Sequence, residues 1–234
     1  MEIIYFYNEC KIMASTILFV VMAILACLLL LVASIAATIG AIDAFGSNTY
    51  NNPKTRSAHQ YLTISAALGW SSLITLIVIL IAAAVAGGFS TTEVSQSLLT
   101  KTNPTKADLL AAYKGEKELS SGHTTQIIII IVLIIVAIIT FIVGVLAILA
   151  AIQIAGVTSR DPKANNAYTA SIIAAIAGVG GIGIMVVAII SYFGIRAARE
   201  KQLKETEAFV ALTEQKLGVT NSELAGASTN PITK

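Results

Sequence analysis

Long apolar stretches without a single charge alternate with short polar ones along this chain, and that alternation sets its organisation. Residues 13–42, 61–89, 126–157 and 167–195 contain no Asp, Glu, Lys or Arg. A hydrocarbon core roughly 30 Å thick is crossed by about 20 apolar residues in a helix, so each stretch is long enough to span with tilt. The pattern predicts an all-α membrane protein with four transmembrane helices arranged as two tandem helical hairpins. The expected division is a tail over 1–12, a first hairpin over 13–89, a polar connecting segment over 90–125, a second hairpin over 126–195, an extramembrane helix over 196–218 and a flexible tail over 219–234.

The polar stretches carry the turn chemistry. Asn52-Pro53-Lys54 with Arg56 lies between the first two spans, and Arg160-Asp161-Pro162-Lys163 between the last two. An Asx residue before proline initiates turns, and proline is accommodated in the first helical turn, so each loop should end in a capped helix start. A tyrosine follows at each helix entry, Tyr61 and Tyr168. The echo fits either a duplicated hairpin, its copies related by an axis along the membrane normal, or chance likeness of two polar loops. In the connecting segment, Ser90-Thr91-Thr92-Glu93 has capping-box spacing, and Gly115 interrupts a helix-favouring run. One or two short surface helices are therefore expected there.

After the fourth span, residues 196–217 favour helix and should carry it into water. Leu203, Val210 and Leu217 recur every seven residues, with Thr206 and Thr213 between them. That seam is too polar for a coiled coil, but it is a candidate surface for docking a partner or the connecting segment. Gly218 is a natural stop.

Composition narrows the function classes. With 56% apolar and 12% charged residues, the chain lacks the polar surface of a soluble domain. A net charge of +2 gives no nucleic-acid footprint. Cys10 and Cys27 are too few for a disulfide framework; Cys10 near the membrane face offers a lipidation option, but the preferred reading is an idle thiol. The loops contain no glycosylation sequon, since Asn103-Pro104-Thr105 is excluded by its proline. The segment ahead of the first span holds Glu2 and Glu9 against Lys11, which reads as a retained span and not a cleaved signal. Met1 and Met13 are both available as starts.

Transporters and proton relays depend on intramembrane ionisable groups, and the four runs have none. His59 and His123 fall in polar segments without a second ligand at metal spacing, and are expected as exposed loop residues. No base accompanies the serines and threonines, so no catalytic, cofactor or metal residue is expected and the chain reads as a non-enzyme. What the spans do have is small residues four apart: Ala36/Gly40, Ser65/Gly69, Ala83/Gly87, Ala147/Ala151/Ala155, Ala174/Gly178 and Ala177/Gly181. Such pairs let helix backbones approach in lipid, making Gly40, Gly69, Gly87, Gly178 and Gly181 the helix-packing candidates. Gly178, Gly180, Gly181 and Gly183 mark the fourth span as central, while the Ile-rich third span is expected to face lipid. Trp70 is expected to pack against neighbours, and Tyr61, Tyr168 and Tyr192 to anchor at the interfaces.

An even number of spans returns both termini to one side. The cluster Arg196, Arg199, Lys201 and Lys204 directly after the last span favours the cytoplasmic side by the positive-inside rule. Two functions lead: a structural scaffold that binds other proteins or further copies of itself, or a channel, small-solute carrier or pore-former; a receptor or adhesion role is a weaker third.

The Ala/Ile/Val-rich spans, cysteine-poor and sequon-free loops, and the Asn52-Pro53-Lys54 turn resemble small multi-span membrane proteins of large icosahedral DNA viruses. The likeness covers residues 13–198. It implies a minor capsid component that sits in an internal virion membrane, with capsid proteins as partners.

Overall fold

The computed structural model describes residues 2–85, 96–99, 101 and 103–218. They form five α-helices and no strand: α1 (Glu2–Phe45), α2 (Pro53–Val85), α3 (Gln96–Leu99), α4 (Lys106–Ile154) and α5 (Pro162–Leu217), with a 3₁₀ segment, Ala155–Arg160, between the last two. Four segments are long and apolar enough to cross a membrane: Ala14–Phe45, Pro53–Val85, Gln126–Thr158 and the apolar part of Pro162–Leu217. The fold is the expected all-α membrane architecture, two hairpins with a helix prolonging the last span.

Several boundaries differ from expectation. Helix α1 begins at Glu2 instead of near residue 13, because nothing in the preceding residues, neither Pro nor Gly, interrupts it. The first connection is confined to residues 46–52. The connecting segment does not make separate surface helices after residue 105, since α4 runs unbroken through Gly115 into the third span. Gly115 is buried, on the same stripe as Leu109, Ala112 and Leu119. The proposed cap at Ser90, the candidate Gly87 and the tail over 219–234 lie outside the described residues.

The chain divides into two compact units, Met1–Ala82 with Ile129–Tyr192, and Ala83–Ile128 with Phe193–Lys234. The first is the helical bundle. Its interior is mostly alanine: Ala36, Ala37, Ala41 and Ala44 of α1 meet Ala58 and Leu62 of α2, Ala147, Ala150 and Ile154 of α4, and Ala164, Ala167 and Ala174 of α5. Large apolar side chains point outward instead, as lipid permits: Ile17, Ile24, Ile74, Ile81, Ile138, Ile176 and Ile190 are exposed. Buried hydroxyls are satisfied largely within their own helices, Ser34 donating to Leu30 O at 2.7 Å and Thr140 to Val136 O at 2.8 Å. Ser65 instead donates across the bundle to Val143 O at 3.2 Å.

Glycines allow the closest approaches. A methyl at Gly178 would stand 2.8 Å from Gly144 Cα, at Gly69 2.5 Å from Ser34 Oγ, at Gly40 3.1 Å from Leu62 Cδ1, and at Gly181 3.2 Å from Thr140 Cγ2. Gly144, the partner of Gly178, escapes the small-pair pattern because it is surrounded by Ile, Val and Leu. The third span is not the lipid-facing one: 39% of its most apolar window is buried, equal to the last span and above the 28% of the first two. Ile129, Leu133, Val136, Thr140, Val143, Ala147 and Ala150 form its buried stripe at intervals of three and four, a stripe hidden in sequence because the outward face is equally apolar. Tyr192 is likewise no interfacial anchor, being fully buried with its ring 5.0 Å from that of Phe19.

Gly178→Ala should destabilise the bundle by about 1–3 kcal/mol through overpacking against the α4 backbone. Gly183→Ala, with nothing within 4 Å, should be neutral or slightly stabilising. Thermal melts of the two variants in one detergent check the contrast.

Candidate functional site

Two polar arrangements stand out, one in each unit. In the bundle, the loops of both hairpins meet around Asp161. Each loop starts its helix in the same way: Asn52 Oδ1 accepts from Lys54 N at 3.0 Å, and Asp161 Oδ1 from Lys163 N at 3.0 Å. The backbone closes the first turns identically, Arg56 N to Asn52 O and Asn165 N to Asp161 O, both at 3.1 Å. The Asx-Pro starts expected from the sequence are therefore present. The lysines also cross between hairpins: Lys163 Nζ lies 3.0 Å from where a Cβ on Gly46 would stand, just past α1, and Lys54 Nζ 4.0 Å from the same point on Gly156, just past α4. Each lysine thus stands beside the C-terminal end of the other hairpin's first helix, where a positive charge is favourable.

The likeness stops at the second carboxylate oxygen. Asp161 is 3% exposed, and its Oδ2 accepts from Ser47 Oγ at 2.8 Å and Asn48 N at 2.5 Å. Ser47 Oγ also contacts Thr49 Oγ1 at 2.6 Å, which lies 3.3 Å from the buried Thr55 Oγ1. The Ser47 hydroxyl is the chief reason the Asp161 carboxyl sits below its ordinary value of 3.8; burial opposes the shift, and the N–H groups of Lys163 and Asn48 reinforce it. The network clasps the two hairpins at one end. Its chemistry is structural: the carboxylate is already saturated with donors, so it is a poor base.

Beside the clasp, His59 is not a loop residue. It lies on α2 with Nδ1 2.9 Å from Ala41 O, and its ring packs 5.5 Å from Phe45 and 5.6 Å from Tyr50. Trp70, 38% exposed, donates its indole N–H to Thr38 Oγ1 at 3.2 Å.

In the second unit, Leu109 and Ala112 of α4 pack against Phe209 and Val210 of α5, flanked by Leu98, Leu99, Leu110, Tyr113 and Leu217. Of the expected docking residues, Val210 is 5% exposed and Leu217 is partly buried in this cluster; Leu203 is half-buried outside it. The connecting segment itself occupies the seam, with Thr206 and Thr213 also buried. The outer face of α5 is charged, with ion pairs Lys204–Glu200 at 3.2 Å and Lys201–Glu205 at 3.8 Å.

A capping box that the sequence reading missed opens α4. Thr105 N donates to Asp108 Oδ2 at 2.8 Å, and Asp108 N to Thr105 Oγ1 at 3.3 Å. Lys101 Nζ adds a bond of 2.7 Å and is the leading cause of an Asp108 pKa lowered to about 2. The signal was Thr-x-x-Asp after Pro104. Nearby on α4, burial and then the charges of Glu207 and Glu214 push the Glu116 carboxyl above its ordinary 4.5.

No group of three or more His, Cys, Asp or Glu suited to a metal occurs among the described residues. No family model, characterised protein or solved structure matches the chain.

Asp161→Asn should lower the melting temperature at neutral pH. A carboxyl whose pKa is depressed by folding stabilises above its unfolded value and loses that contribution as pH falls through the folded one, so the gap from wild type should close progressively below pH 3.8. Glu116 has the opposite sign. Its raised pKa makes ionisation unfavourable in the fold, so Glu116→Gln should gain stability over wild type as pH rises above 4.5, and match it below; melts across pH 4–8 check this.

Proposed function

We propose that this chain is a non-enzymatic, structural integral membrane protein. The observation that carries this reading is the interior of the bundle. Its helices meet through alanine and glycine, with α4 and α5 in backbone contact at Gly144 and Gly178, and the buried hydroxyls bond mainly to helix carbonyls. Small-residue contact of this kind serves assembly in lipid, whereas transport needs a path lined by groups that replace hydration. The Asp161 clasp adds to it, since bonds across the two loops resist the rocking of one hairpin against the other that alternating access requires.

The even number of crossings puts both termini, the connecting segment and the α5 extension on one side, cytoplasmic by the basic cluster that follows the last span. There the self-covered seam makes the α4–α5 pair a pre-formed platform. It presents the charged face bearing Glu200, Lys201, Lys204 and Glu205 to protein partners or to further copies of the chain. The resemblance to internal-membrane proteins of large icosahedral DNA viruses extends the proposal to a minor capsid component, linking a virion membrane to capsid proteins.

Proteoliposomes containing the protein should show no ion or small-solute flux above empty vesicles, and amine cross-linkers applied to native membranes should capture defined protein neighbours through Lys201, Lys204 or Lys216. Saturable flux would instead establish a channel or carrier.

A further inference from the structure

A groove of about 480 Å³ runs along the bundle between α1 and α5, lined by Val32, Ile35, Ile39 and Ile173 and ending at Asp43, Asn166 and Thr169. We propose that it binds one leaflet lipid carrying a primary ammonium headgroup, of the phosphatidylethanolamine type. The dimensions fit a single leaflet: from Val32 to Asp43 the helix rises about 16 Å, roughly half of a 30 Å hydrocarbon core. The walls along that length are apolar and suit an acyl chain. The polar groups are gathered at the end where α1 terminates.

Charge selects the headgroup. Asp43 lies in the last turn of α1, where the helix end is itself negative; Lys163 Nζ meets that end at Gly46 but makes no ion pair with Asp43 among the described residues, so the carboxylate still calls for a cation of its own. Among the described residues no hydrogen bond or ion pair engages the Asp43 carboxylate, whereas the other loop aspartate, Asp161, is saturated with donors. An ammonium group supplies N–H donors to Asp43, and the exposed Asn166 amide can donate to the adjoining phosphate; the Thr169 hydroxyl already donates to Asn165 O at 3.1 Å and only borders the site. A quaternary choline lacks those N–H donors, and an anionic glycerol headgroup is repelled. The proposal depends on the membrane-spanning bundle but not on the scaffold reading, because a carrier could hold the same lipid.

The full-length protein in nanodiscs of matched acyl chains tests it, by native mass spectrometry of retained lipid and by thermal melting. Ethanolamine lipid should be retained about tenfold over choline or glycerol lipid, the scale of one charge-assisted hydrogen bond, and should give the highest melting temperature. Asp43→Asn should abolish that preference while melting like wild type in choline lipid. Equal retention of the three headgroups by wild type, or an undiminished preference in Asp43→Asn, would overturn the proposal. So would disulfide-linked dimers of Ile39→Cys that wild type does not form, which would put a second copy of the chain in the groove.

Discussion

Helix association in this protein rests on how closely backbones approach. Lipid tails are as apolar as leucine, so burying a large side chain between helices gains little over leaving it in hydrocarbon. Dispersion between surfaces in contact and a few hydrogen bonds must hold the bundle. That constraint explains an inversion of the soluble pattern, in which alanine fills the centre and isoleucine covers the outside. It also explains why Gly144 and Gly178 face one another, since any side chain between them would separate α4 from α5 and forfeit contact along both helices.

Charged chemistry is confined to the ends of the apolar segments and beyond them, where each arrangement does a different job. At the hairpin loops, a single buried carboxylate ties residues more than a hundred positions apart, and each hairpin lends a lysine to the other's helix end. In the second unit, a capping box starts α4, and apolar residues of the connecting segment cover the seam of α5. The two aspartates at the loops make a useful contrast. Asp161 is satisfied by the protein and acts as a fastener, whereas Asp43 is left to whatever lies alongside the bundle.

Features with a local cause were legible in the residues. Asn52-Pro53 and Asp161-Pro162 start helices because the Asx side chain and the fixed proline φ act within one turn. Gly40, Gly69, Gly178 and Gly181 each follow another small residue four positions earlier, and a Cβ at any of them would crowd a neighbouring helix. The third span was misread because a helix apolar on every side gives no periodicity from which to choose a buried face. Tyr192 was misread because a tyrosine near a span end looks the same whether it meets headgroups or Phe19. The continuity of α4 was obscured by Gly115, whose low helix propensity is outweighed once it is buried on the packed stripe.

Membrane residence, the number of crossings and the places where helices begin follow from composition and short-range geometry, because solvation by hydrocarbon and capping by a neighbouring side chain involve no distant partner. The tertiary structure alone decided which glycine faces which, that the seam of α5 is filled by the chain's own connecting segment, and that of two similar loops only one contributes a buried acid. Those outcomes depend on which surfaces far apart in sequence come into contact, and in lipid, where apolar faces are energetically alike, shape and a handful of hydrogen bonds make the choice.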